Sequence, residues 1–317
     1  MKIAVVHMDA VLGEIDRNLN YARDRIVEAK ENGAELILFP EFFTTGYAFS
    51  EKLYDAVLNY ENPQIRLKKY AEEFKIIIGG SYLNLKRDFV NGNDVYNTFT
   101  LTFPDGTVYS HSKNIPTVYE HYIYNDGDEN YVFETPIGNI GIALCWEQIR
   151  YNTLKKMAGK VDFVLGSSCW WGFSKNDIKE LQDLNTINNE IAVNAPVEIA
   201  KILKVPVFHS SYNAEFTGMT FPKGDKADTR KIYGASQIVD KYGNIYERKM
   251  YEEESGILYY SFEYDRENRP ECIISTDKYW IPKMPQIFLY AWDNVLPKVE
   301  EYYYKVSRPR FQKIINK

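Results

Sequence analysis

Three stretches of the sequence end an apolar run on a side chain that can do chemistry. LILFPEFFTTGY ends on Glu41, YSHSKNIPTVYEHYIYNDGD carries Lys113 and Glu120, and IGIALCWEQIR ends on Cys145. A thiol becomes a nucleophile once it loses its proton, a carboxylate of raised pKa can take that proton, and an ammonium can stabilise an oxyanion. Together such groups would do covalent acyl chemistry. Taken singly, each has an ordinary structural reading: a cysteine at a strand end is in most proteins inert core, and a lone Lys or Glu there is a solvated charge. Positions 41, 113 and 145 are too widely separated for spacing alone to show that they meet. Cys169, in SSCWWGF, is a rival thiol, and His121 and His209 leave a Cys–His hydrolase open. Cys272 carries no assigned role.

The elements that must position these groups alternate between strand and helix. KIAVV (2–6) is a β-branched run, and residues 17–32 repeat Leu19, Ala22, Ile26 and Ala29 at helical spacing, with Asp16 as N-cap and Gly33 just past the end. ELILF (35–39) is a buried strand stopped by Pro40, and LNYENPQIRLKKYAEEFK reads mostly as a second helix. IIIGGSYL is a strand, and 97–112 a hairpin about Pro-Asp-Gly. NIGIALC leads to Cys145, after which a helix is predicted to aim its N-terminal N–H groups back at the thiol. VDFVLGSS and VPVFHSSY are strands around a helical stretch at 174–203, and a last hairpin turns at Tyr242-Gly243. This alternation predicts a layered α/β (α+β) domain with mixed sheets. From about residue 262 the texture becomes aromatic and Pro-interrupted. We therefore divide the chain into a domain over 1–262 and an extension over 263–317 that packs on the core or on a partner subunit.

Composition removes several function classes. With 317 residues, 45% hydrophobic and 26% charged, the chain can bury a core without staples. A formal net charge of −6 and the absence of a Lys/Arg track argue against nucleic acid. Three cysteines and four histidines without C-x-x-C or H-x-x-x-H argue against zinc and against a disulfide framework, and favour a reducing, cytoplasmic location. The apolar start is too short for a secretory leader, and no run of 18 apolar residues predicts a membrane span.

The ordered set of motifs resembles the nitrilase superfamily of carbon–nitrogen hydrolases. FPEFFTTGY is similar to that family's Phe-Pro-Glu…Gly-Tyr element, SKNIPTVYE to its lysine element, and ALCWEQIR to its Cys-Trp/Tyr-Glu/Asp element. YNT (96–98), TPIGNIGIALC and GASQIVDKYGNIY add agreement, and the likeness covers roughly 2–262. The resemblance implies a four-layer α-β-β-α sandwich. It implies Cys145 as nucleophile, Glu41 as base and Lys113 as the oxyanion's cation. Glu120, seven residues after Lys113 and seven before Gly127, would be the orienting glutamate, and the Trp146 N–H an oxyanion donor. It also implies no metal or organic cofactor, and a homodimer or larger assembly. Glu41 would need burial or a like charge, which Glu120 supplies, to raise its pKa. The family commonly has Gln where His7 stands. Phe42, Tyr119, Trp146, Trp170 and Trp171 point to a planar or apolar acyl group. The expected substrate is a small amide. A true nitrilase is the alternative, since CWE leans that way. A catalytically silent binding or scaffold relative is the alternative of another class, against which the intact Glu41-Lys113-Cys145 set speaks.

Overall fold

The computed structural model describes residues 1–88, 90–220, 226–264, 266 and 269–312. β1 (Lys2–Met8) leads through α1 (Ile15–Glu31) to β2 (Leu36–Leu38). α2 (Glu51–Asn59) and α3 (Pro63–Phe74) then precede β3 (Ile77–Lys86). β1, β2 and β3 run parallel, as helical crossovers require. β3 continues as an antiparallel meander into β4 (Asp94–Thr102) and β5 (Val108–Ser112), the latter pair being the hairpin read from the sequence.

The second half repeats the logic. β6 (Val132–Thr135) pairs with β7 (Gly138–Leu144), and α4 (Tyr151–Met157) crosses to β8 (Phe163–Ser167). After β9 (Trp170–Trp171), α5 (Lys179–Gln182) and α6 (Asn185–Leu203) lead to β10 (Val207–Tyr212), parallel to β8. β11 (Glu215–Met219) and β12 (Ala227–Tyr233) form a small sheet with β9. β13 (Ala235–Val239) and β14 (Ile245–Met250) make the last hairpin, and β15 (Gly256–Ser261) returns antiparallel to β1.

Twelve strands form one connected network. It folds into two leaves, β5-β4-β3-β2-β1-β15 and β6-β7-β8-β10-β13-β14, joined where His7 and Met8 pair with Ser211 and Tyr212. The period of two along each strand explains the layering. Ile3 and Val5 of β1, and Ile140, Ile142 and Leu144 of β7, enter one core with Leu38, Phe99, Phe163 and Phe208 between the leaves. Ala4 and Val6 face outward to Leu19, Ile26 and Leu67 of α1 and α3, and Ala143 faces Leu154 and Met157 of α4 with Ile199 and Leu203 of α6. The strands are apolar on both faces because both are covered. The result is a four-layer α-β-β-α sandwich.

Local expectations needed correction where caps and prolines compete. α1 starts at Ile15 after Glu14, and Asp16 lies in its first turn instead of capping it. The helix read within 58–75 is α3, and α2 before it had not been read. Pro63 cannot continue a preceding helix, Asn62 caps α3 by accepting the Gln64 N–H at 2.9 Å, and Ser50 caps α2 in the same way. Within 174–203 only α5 and α6 are helical. A 3₁₀ turn (Cys145–Ile149), not an α-helix, follows β7 directly.

Residues 286–312 form one helical run that lies on its own chain. Tyr303 donates to Asp94 at 2.9 Å, Ser307 to the Tyr122 carbonyl at 2.6 Å, and Arg308 pairs with Asp94 at 2.9 Å. Among the described residues no helix is long and apolar enough to cross a membrane.

Candidate active site

Glu41 stands just past β2, and its backbone is fixed by the Tyr212 hydroxyl, which donates to its carbonyl at 2.7 Å. The next residue, Phe42, has a left-handed backbone (φ 58°) and donates its N–H to Ser81 at 3.1 Å. Lys113 follows β5, its N–H donating to the Asn97 carbonyl at 2.8 Å and its carbonyl accepting from Gly127 at 2.9 Å. A Cβ at Gly127 would lie 2.2 Å from the Ser112 carbonyl oxygen, so only glycine permits this approach. Glu120 lies in a single turn, Val118–Tyr122, and Cys145 follows β7 directly with φ 48°. Cys145 and Glu41 thus sit at the carboxyl ends of parallel strands, where loops converge.

The side chains meet. Lys113 Nζ donates to Glu41 Oε1 at 3.0 Å and to Glu120 Oε2 at 2.6 Å, all three side chains being fully buried. One carboxylate oxygen each of Glu41 and Glu120 and the sulfur of Cys145 all lie within 4.8 Å of one another. Those three donors could ligate a cation, but the Lys113 ammonium already bonds both carboxylates. Glu41 also accepts from Asn97 Nδ2 at 2.8 Å and, on its other oxygen, from the Cys169 N–H at 2.8 Å. Glu120 accepts from the Thr117 N–H at 2.7 Å and from the Tyr124 hydroxyl.

Burial pushes the Glu41 carboxyl up to about 7, with Lys113 opposing and Glu120 adding to the rise. Burial likewise holds the Cys145 thiol well above its usual range, Glu41 adding and Lys113 opposing. For Lys113 burial favours the neutral amine, but the carboxylates of Glu120 and Glu41 outweigh it and keep the ammonium charged. Near neutrality the arrangement is a protonated thiol, a carboxylate able to take its proton, and a fixed cation.

A second buried network supports the first. Glu147 Oε2 accepts the Leu144 N–H at 2.9 Å, and Oε1 accepts the Asn114 N–H at 2.8 Å. Its carboxylate faces His111 Nε2 at 3.1 Å, while His111 Nδ1 faces Asp128 at 3.1 Å. Burial works against a charged His111, but Glu147 and Asp128 outweigh it and raise the imidazole to about 9. Burial alone would raise Glu147, and His111 and Arg150 bring it below the usual range.

A cavity of about 220 Å³ opens on Cys145. Tyr119, Trp146, Trp170 and Trp171 line it, and so does Asn188. Phe42 does not: it is fully buried and packs on Tyr47 and Tyr124 beneath Glu41. Cys169 is fully buried outside the cavity lining and contributes its backbone to Glu41. His209 bonds Ser168 at 2.6 Å and the Ala235 carbonyl at 2.7 Å, and neither it nor His121 lines the cavity. His7 is a buried strand-end residue bonded to Ser236 at 2.9 Å. Sequence reasoning missed Asn97, Tyr124, His111 and Glu147 as partners, although YNT and CWE contain two of them. It also missed that residues of the C-terminal run line the cavity.

Residues 2–266 match the carbon-nitrogen hydrolase family, and the chain belongs to it. The fold is similar to that of a carbon-nitrogen hydrolase from Helicobacter pylori G27, with TM-score 0.65 and 17% identity over 82% of this chain and 88% of that one. It is also similar to an amidase from Nesterenkonia sp., with TM-score 0.59 and 18% identity over 82% and 89%. In sequence the chain is 30% identical over 164 residues to Nitrilase 3 of Arabidopsis thaliana, covering 46% of this chain and 47% of that protein. It is 33% identical over 148 residues to N-carbamoylputrescine amidase of the same plant, covering 43% and 47%. The chain spans about half the length of the curated relatives it matches.

Proposed function

We propose that the chain is a thiol hydrolase that splits the carbon–nitrogen bond of a small amide into a carboxylic acid and ammonia. What carries this reading is the buried cluster of Cys145, Glu41, Glu120 and Lys113 at the edge of an aromatic cavity. Glu41 takes the Cys145 proton as sulfur attacks the amide carbon, and the carbonyl pair moves to oxygen. Lys113 stabilises that oxyanion, supported by the Trp146 N–H, while Glu120 orients the ammonium. The oxyanion collapses, the C–N bond breaks, and protonated Glu41 gives its proton to the departing nitrogen. Water then loses a proton to Glu41 and adds to the thioester, and the second collapse releases the acid and returns the proton to sulfur. The residues use no metal or organic group in this sequence of steps.

A nitrile would enter by the same attack, giving a thioimidate, and the similarity to Nitrilase 3 favours that second reading. Three cysteines, none disulfide-bonded, support a reducing, cytoplasmic setting. The reading includes a homodimer or larger assembly, checked by light scattering in solution. The deciding experiment is ammonia release from a panel of amides and nitriles. Cys145→Ala should abolish it; full activity in that variant would remove Cys145 from the mechanism, and silence of the wild type on the whole panel would favour a binding or scaffold role.

A further inference from the structure

We propose that the stretch 279–295, beyond residue 266 where the family match ends, forms the acyl-binding wall of this cavity and restricts the substrate to amides whose acyl group ends in an uncharged ring. The inference rests on the hydrolase reading above and names its substrate class.

Five residues of the helical run, Ile287, Phe288, Tyr290, Ala291 and Val295, line the cavity, and the spacing of Ile287, Phe288, Ala291 and Val295 puts those four on one helical face. The wall is positioned against the thiol by the turn that holds it. Trp146, next to Cys145, packs on Trp280, Phe288 and Trp292 with ring centroids 5.5, 6.0 and 5.9 Å away. The backbone is strapped where the same turn ends: Ile281 donates to the Ile149 carbonyl and Tyr151 to the Tyr279 carbonyl, each at 2.9 Å.

The chemistry of the wall selects the ligand. Among the described residues that line the cavity, none is Asp, Glu, Lys, Arg or His. The Trp170 indole N–H is already spent on Asn188 Oδ1 at 2.8 Å. Arg230, on the ring of Trp171, is paired with Asp177 and Asp228 at 2.8 Å each. A carboxylate or ammonium on the acyl chain would be buried here with no opposite charge in the lining and only neutral groups, such as the Thr117 hydroxyl, to meet it, which is unfavourable. A ring would stack among Trp146, Trp170 and Phe288. An apolar cavity of about 150 Å³ suffices for benzene, so 220 Å³ accommodates a ring with the short arm that carries the amide to sulfur.

The test compares ammonia release by the full chain from phenylacetamide and from succinamate, an amide that ends in a carboxylate. The expected kcat/KM ratio favours phenylacetamide by roughly 100-fold or more. Equal or faster turnover of succinamate would overturn the wall while leaving hydrolysis standing. Ile287→Lys puts an ammonium into the wall and should narrow the ratio by roughly 10-fold or more; an unchanged ratio would also overturn it. Ile287→Gln replaces that variant if it does not fold. If neither amide releases ammonia, binding of each is read from tryptophan fluorescence. Preference for phenylacetamide, weakened by Ile287→Lys, would support the wall with the hydrolase reading lost; no preference would end both.

Discussion

The carboxylate of Glu147 accepts the backbone N–H of Asn114 at 2.8 Å, and so ties the loop after Cys145 to the loop that carries Lys113. Its second oxygen holds the Leu144 N–H, and His111 balances its charge. Glu147→Ala should therefore cost about 3–5 kcal/mol of stability, because it leaves a buried imidazolium short of a partner. The pH dependence carries the sign. His111, raised to about 9, contributes stability that is full below its unfolded value of 6.5 and is lost as pH rises through about 9. Glu147, lowered, contributes stability present above 4.5 and lost as pH falls through its folded value. Urea melts across pH should show the alkaline loss in the wild type and a smaller one in Glu147→Ala; equal alkaline limbs would refute the pairing.

In the proposed mechanism Glu41 must be ionised to take the thiol proton. With its carboxyl raised to about 7, kcat/KM should climb with pH through a midpoint near 7. Glu41→Gln should lower kcat by roughly 10²–10⁴-fold while substrate still binds. Because the folded value lies above the unfolded 4.5, the stability tied to protonated Glu41 is full below 4.5 and lost as pH rises through about 7. Glu41→Gln should thus melt higher than the wild type on the alkaline side. A lower melting temperature there would make the carboxylate a net structural asset.

Glu120 is the like charge that helps raise Glu41. Glu120→Gln should move the midpoint of the pH–rate profile downward, and Lys113→Met should move it upward while cutting the rate. A midpoint fixed in both variants would mean that another group limits the profile.

Only Cys145 of the three cysteines lines the cavity; Cys169 is fully buried, and Cys272 is partly exposed with its thiol on the Ile202 carbonyl. Iodoacetamide should label Cys145 and Cys272 and spare Cys169, and a bound amide should protect Cys145 alone. Peptide mass spectrometry reads this directly. Labelling of Cys169 at the rate of Cys145 would reopen the choice between the two thiols.

The layers were legible in the sequence because their strands are continuous apolar runs and their helices amphipathic. The helix boundaries at 51–63 were harder, since Ser50 and Asn62 are single-residue signals inside a polar stretch. The strand-end positions of Glu41, Lys113 and Cys145 could be read, but their meeting depends on non-local pairing that spacing does not encode. Phe42 was read as a pocket residue because it is aromatic and next to Glu41; its left-handed backbone sends the ring into the core instead. The tail's part in the cavity had no local signature beyond its aromatic texture.

Phe42, Val118 and Cys145 have φ of 58°, 48° and 48°: the first follows Glu41, and the other two line the cavity together. The other non-glycine residues of this kind among those described, Lys75 and Lys204, merely cap α3 and α6. Each such backbone costs about 1–3 kcal/mol, and Val118, being β-branched, is the least suited to it. The sheets therefore hold the loops that carry Glu41, Glu120 and Cys145 in a cocked state. On warming, those loops are the first place where the molecule gains by letting go, so ammonia release should fade at temperatures where circular dichroism still reports intact leaves.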